Sequence, residues 1–249
     1  MDNDLKEVPL PLEAHIHGFW GFYPRPVLLV SLVIGLVVFL VWLPGALRAA
    51  LVTALLAQRT LMSLLLLFAL TALSQVWSAG QRLDTRVFLL FNLRGRHPRW
   101  LDRIVSVATQ VGNMLTALFL AGLFFILNYR SLSVEVIFGT LTLWLQVEIV
   151  KVLTDRARPF LALQGTRIIG WKERGRSFPS GHTAQTFFLM TLLSHYFQID
   201  MVGTAALYAV ALLVGFTRIY VGAHYPRDII GGAVLGSVWG VLAVLVSPY

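Results

Sequence analysis

The chain has 249 residues, of which 57% are hydrophobic and 13% charged, whereas a soluble domain carries about 25% charged residues. That composition excludes an ordinary water-soluble protein, and the absence of cysteine excludes a disulfide framework or a thiolate metal site. The formal net charge of +8 is nearly all arginine set between apolar runs; it suits membrane lipids or an anionic substrate, and without interleaved aromatics for base stacking no nucleic-acid partner is expected.

Apolar helices are predicted at 27–43, 53–77, 110–128, 132–153, 182–199, 201–216 and 229–246, judged against the roughly 20 residues that span a bilayer. The expected fold class is all-α: a polytopic membrane bundle with a six-helix core over 60–249, preceded by an N-terminal segment over 1–59. The run at 27–43 is short and bracketed by Pro24, Pro26, Pro44 and Gly45, and it reads either as a seventh span or as a tilted accessory helix. The acidic N-terminus, with its first apolar run beginning at Val27, shows no sign of a cleavable signal peptide. His15 and His17 have no third ligand nearby and are not read as a metal site.

Between the second and third runs, residues 80–110 interleave apolar residues with arginines, as amphipathic helices on a bilayer surface do. The other sizeable polar loop runs from Phe160 to Ser177. Its glycines at 165 and 170 are not followed by the Lys-Ser/Thr pair of a phosphate loop. Six spans alternate sides, so both segments and the junction at 217–228 share one face.

Three polar clusters interrupt the apolar pattern on that face: "KVLTDRARP" from Lys151 to Pro159, "PSGH" from Pro179 to His182, and "TRIYVGAHYPRD" from Thr217 to Asp228. Ionisable residues at span ends are costly and point to function. Lys151, Arg158 and Arg218 supply cationic donors, and guanidinium binds phosphate oxygens in pairs. Ser180, Gly181 and His182 open a helix, whose free amides and positive dipole end also favour an anion. His224 is placed to attack phosphorus, with Asp228 four residues on accepting a hydrogen bond from its other nitrogen and fixing the tautomer. His182 is placed to protonate the departing oxygen and later to activate water. This scheme needs no metal and no cofactor. Glu148, three residues before Lys151, is expected to pair with it, and Gly232, Gly236 and Gly240 have the spacing of a close helix-packing stripe inside the bundle.

These clusters resemble the signature of the type 2 phosphatidic acid phosphatase superfamily: Lys-x6-Arg-Pro, Pro-Ser-Gly-His and Ser-Arg-x5-His-x3-Asp, with Thr217 here in place of the leading Ser. The resemblance covers about residues 60–246. It implies His224 as nucleophile, His182 as acid and base, Asp228 as orienting group, and Lys151, Arg158, Ser180, Gly181 and Arg218 as phosphate ligands. It also implies a lipid phosphate substrate, among them phosphatidic acid, phosphatidylglycerol phosphate, undecaprenyl diphosphate or a lipid A phosphate, and a periplasmic active site in a bacterial inner membrane. Transfer of the phosphoryl group to a second lipid, or a non-catalytic binder or transporter of lipid phosphates, are the alternative readings. The arginine count alone points the other way, since the active face carries more arginine than the opposite one and cytoplasmic loops accumulate it.

Overall fold

The computed structural model describes residues 30–247 apart from 32, 33, 36, 39, 40, 95 and 96. The choice between span and accessory helix for 27–43 falls largely outside the described residues, as do His15 and His17. The described chain is helical, with no strand among the described residues: α1 (Gly45–Ala57), α2 (Arg59–Leu73), α3 (Ser78–Asn92), α4 (Arg99–Ala108), α5 (Met114–Ile126), α6 (Arg130–Thr154), α7 (Pro159–Ala162), α8 (Gly181–Tyr196), α9 (Met201–Tyr220) and α10 (Pro226–Val246).

Several boundaries differ from the apolar runs for local reasons. The run at 53–77 divides at Gln58, which interrupts the helical backbone between α1 and α2. The run at 110–128 starts late because Asn113 is extended and caps α5, its side chain accepting from the Leu115 amide at 3.0 Å. A 60° bend there separates α4 from α5. The run at 201–216 continues to Tyr220, so that Arg218 rides on the last turn of α9. Pro226 starts α10 at the first helical position, where its missing N–H costs nothing.

Four helical stretches among the described residues are long and apolar enough to cross a membrane, 59–76, 130–162, 201–220 and 226–246, and a fifth if the bent pair of α4 and α5 counts as one span. The sixth member of the predicted core, α8, has 16 residues, or about 24 Å at 1.5 Å per residue. It compensates by burial: Ala184, Phe188, Leu189 and Leu192 form the centre of the core with Ala117 and Ala121 of α5, Leu132, Val136, Leu143 and Val147 of α6, and Leu235 of α10. Outer faces carry exposed apolar side chains such as Leu66, Phe119, Phe138 and Leu212, as a lipid-facing surface requires. The protein is a multi-pass membrane protein.

The glycine stripe of α10 lies against α8. A Cβ on Gly236 would sit 2.1 Å from the Ala184 carbonyl oxygen, and one on Gly240 2.4 Å from the Thr191 side chain. Close approach lets the two backbones pack without intervening side chains, which fixes the start of α8 beside the start of α10. Polar cross-links add direction: Gln185 donates to Thr140 at 2.9 Å, and Thr191 pairs with Tyr208 at 2.8 Å.

Candidate active site

The C-terminal end of α6, the N-terminal ends of α8 and α10 and the C-terminal end of α9 meet on one face, and the loop from 163 to 177 folds over them. The loop is anchored from beneath. Asn92, at the end of α3, accepts from the Arg167 amide and donates to the Arg167 and Tyr220 carbonyls, at 2.9, 2.9 and 3.0 Å. The Arg167 guanidinium grips Asp102 of α4. Gly222 has φ +86°, and a Cβ there would lie 2.3 Å from the Arg167 carbonyl oxygen, so glycine alone lets the chain pass under this loop before turning to His224.

His224 is 1% exposed. Its Nδ1 lies 2.8 Å from the Ser177 carbonyl oxygen, and its Nε2 3.1 Å from a guanidinium nitrogen of Arg158. Both contacts require the same tautomer: Nδ1 carries the proton and donates it to Ser177, while Nε2 offers its lone pair. Asp228 sits behind this arrangement rather than on the ring. Its carboxylate is 3.6 Å from Nδ1, beyond hydrogen-bonding distance, so the direct bond expected from the four-residue spacing is replaced by one through Ser177. Asp228 instead accepts from the Ser177 hydroxyl at 2.5 Å and from the Tyr225 amide at 2.8 Å.

Arg156 closes the circuit. Its side chain pairs with Asp228 at 2.6 Å and with Asp84 of α3 at 2.5 Å, and it stacks over the Tyr225 ring at 4.3 Å. Its carbonyl accepts from the Ser177 amide at 2.8 Å. Arg227 adds a second cation to Asp84 at 2.6 Å. Asp84 and Asp228 are almost fully buried, so each is held by arginine, as a desolvated carboxylate must be.

Arg158 and Arg218, 1% and 4% exposed, face the carboxylate of Glu173. Arg158 approaches it at 2.9 Å, and Arg218 makes a short ion pair with it. The two imidazoles flank the same group, His182 Nδ1 at 3.6 Å and His224 Nε2 at 3.7 Å. Burial works to raise the Glu173 pKa, but the positive charges of Arg218 and Arg158 hold it well below the usual carboxylate range. Lys151 pairs with Glu148 at 2.7 Å, as the spacing predicted. Lys151, Glu173, Gly181 and His182 line the polar end of a cavity of about 220 Å³, and Leu143, Trp144 and Val147 of α6 line its apolar wall.

The sequence-predicted residues thus converge, with Ser180 in a role of its own. The Ser180 amide donates to the Asp228 carbonyl at 2.9 Å, and its hydroxyl pairs with Thr183 at 2.9 Å. Ser180 therefore pins α8 to α10, and the amides of Gly181 and His182 remain at the helix start. Glu173, Ser177 and Asp84 were not foreseen. Glu173 had one visible signal: it is the single acid among four basic residues between 160 and 177.

The family model described as the PAP2 superfamily matches residues 120–249. The chain belongs to the PAP2 superfamily. Of solved PAP2 structures, a transmembrane phosphatidylglycerolphosphate phosphatase from Bacillus subtilis aligns with a TM-score of 0.62 and 25% identity, over 74% of this chain and 94% of that one. Phosphatidylglycerophosphatase B of Bacillus subtilis is 29% identical over 186 residues, 69% of this chain and 85% of that protein. An undecaprenyl-diphosphatase of Sulfolobus acidocaldarius is 32% identical over 102 residues, 40% of this chain, and the match spans 48% of that protein's length. The PAP2 match contains all three polar clusters.

Proposed function

We propose that this PAP2 protein is a lipid phosphatase that removes a terminal phosphate from a membrane lipid through a phosphohistidine. The observation that carries this reading is the convergence of two guanidinium groups and two imidazoles on one anion position, at the polar end of a cavity with an apolar wall. His224 Nε2 forms a bond to phosphorus as the bond from phosphorus to the lipid oxygen breaks, and His182 gives that oxygen its proton. His182 then takes a proton from water, whose oxygen bonds to phosphorus as the N–P bond breaks, releasing phosphate. Arg158, Arg218, Lys151 and the amides of Gly181 and His182 stabilise the charge that grows on the phosphoryl oxygens. Ser177 and Asp228 hold the imidazole in register.

The named relatives are phosphatases of phosphatidylglycerol phosphate and undecaprenyl diphosphate; for this chain the substrate candidates are those two, phosphatidic acid and a lipid A phosphate. We place the site on the periplasmic face of a bacterial inner membrane. Part of the arginine on this face belongs to the site itself, because Arg156, Arg158, Arg218 and Arg227 are engaged in ion pairs there. Those arginines answer to the site rather than to insertion.

The test is phosphate release by detergent-purified protein from a panel of lipid mono- and diphosphates, with His224→Ala alongside. Release by the wild type and not by the variant supports the reading. Silence across the panel shifts weight to lipid-to-lipid transfer or to binding alone.

A further inference from the structure

The Glu173 carboxylate occupies the position to which the cradle's cations and imidazoles point, so an incoming phosphate must displace it. Its partners are not chosen to hold it alone. Arg218 keeps a buried Nε without a hydrogen-bond partner, and its Nη1 is held by Thr109 at 2.7 Å, so the guanidinium stays in place whether or not Glu173 is there. Arg158 likewise has independent anchors, the carbonyls of Ala223, Arg174 and Gly175 at 3.2, 3.3 and 3.3 Å. Arg158 thus fixes the backbone on the C-terminal side of Glu173, and the carboxylate is free to leave by its own side-chain torsions. On the other side, Gly170 has φ +79° and Trp171 is 94% exposed, so nothing packs against the loop tip to resist that movement.

A tethered carboxylate competes at an effective concentration that no free monoanion easily matches, on the order of millimolar or above. Its strength as a competitor depends on what arrives. A terminal phosphate brings a charge of about −1.5 to −2 near pH 7 and three acceptor oxygens. A phosphodiester brings one negative charge and two free oxygens, close to what the carboxylate already supplies. Diester phospholipids surround any membrane enzyme and share the alkyl chains that the apolar wall of the cavity would accept. We propose that Glu173 is a specificity-determining residue, a built-in competitor that keeps phosphodiester headgroups out of the cradle and yields to a terminal phosphate. This rests on the reading of the cradle as a phosphate site.

The experiment measures binding, not turnover. Inorganic phosphate is titrated by calorimetry at pH 7.5 into the purified full chain and into Glu173→Gln, first in an uncharged detergent and then in the same detergent with added phosphatidylglycerol as the diester. If the open cradle is populated at roughly one part in ten, Glu173→Gln binds phosphate about tenfold tighter, and added phosphatidylglycerol weakens binding in the variant but not in the wild type. Glu173→Asp keeps the charge but shortens the reach, so its affinity should fall between the two; it carries the test if Glu173→Gln does not fold. Equal or weaker phosphate binding in the variants overturns the inference while leaving the cradle intact. Failure of both wild type and variants to bind phosphate overturns the cradle reading and this inference with it.

Discussion

The His224 imidazole is oriented by the carbonyl oxygen of Ser177, 2.8 Å from Nδ1, and the Asp228 carboxylate stands 3.6 Å away behind it. Asp228 therefore reaches the His224 ring through the Ser177 hydroxyl and the backbone at Tyr225. Asp228→Asn removes the negative charge that faces Arg156 and the ring but leaves the Ser177 carbonyl, itself held by the Arg156 carbonyl through its amide. Turnover should fall roughly 10- to 100-fold, the range for losing a hydrogen bond to a buried charge, with phosphate affinity nearly unchanged. Ser177→Ala keeps the carbonyl and should cost less than Asp228→Asn. Steady-state kinetics on both variants checks the order; the reverse order would place the aspartate outside the mechanism.

Asp84 carries two buried guanidinium groups, Arg156 at 2.5 Å and Arg227 at 2.6 Å, on a helix that lies outside the four clear membrane spans. Removing one partner of a buried ionic cluster leaves uncompensated charge, at a cost of about 3–5 kcal/mol. Asp84→Asn should accordingly lower thermal stability in detergent and reduce turnover, because Arg156 also holds Asp228. A melting temperature equal to wild type would mean that water, not Asp84, satisfies those arginines.

The α8–α10 contact predicts opposite outcomes for two glycines. At Gly236 a methyl would collide with backbone, 2.1 Å from the Ala184 carbonyl oxygen, whereas at Gly122 of α5 nothing lies within 4 Å. Gly236→Ala should separate the helices and lose both stability and activity. Gly122→Ala should be neutral or gain up to about 1 kcal/mol, since alanine restricts the unfolded chain and favours helix. Thermal melts of the pair decide it.

Much of this site was legible because its chemistry is local. Lys151 to Pro159, Pro179 to His182 and Arg218 to Asp228 each read as a polar cluster at a helix junction, and alternation of spans puts all three on one face. The all-α bundle followed from apolar run length. What stayed hidden depends on distance in the chain. Asp84 meets Arg156 across 72 residues, and Ser177 meets His224 across 47; neither pairing leaves a periodicity or a spacing to read. The Asp228 contact shows the opposite error, for a four-residue interval invited a direct bond that the extended turn at Tyr225 does not make. Likewise α8 was drawn through residue 199, but the helix ends at Tyr196 and Gln198 takes φ +47°.

Chelation should leave turnover unchanged. The acidic groups nearest the cradle are committed to cations of the protein: Asp84 and Asp228 to Arg156, Glu148 to Lys151, and Glu173 to Arg158 and Arg218. Hard divalent cations need several oxygen ligands at once. Activity lost in EDTA and restored by magnesium would remove the metal-free scheme.

The state of Glu173 sets a further expectation for the empty protein. Burial alone would raise its pKa, but Arg218 and Arg158 hold it well below the unfolded value, which is about 4.3. A group whose folded pKa is depressed stabilises the fold fully above its unfolded pKa, and that contribution drains away as pH falls below it. The melting temperature of the wild type should therefore be insensitive to this group above about pH 5.5 and decline below about pH 4.3. Glu173→Gln has no carboxylate to protonate, so its decline on acidification should be shallower, the other carboxylates being common to both proteins. Melting curves between about pH 3.5 and 7, taken without phosphate, compare the two slopes. Identical slopes would mean that Glu173 is not held by the arginines in the empty site. Added phosphate should shrink the difference between the slopes, because it takes the carboxylate's place.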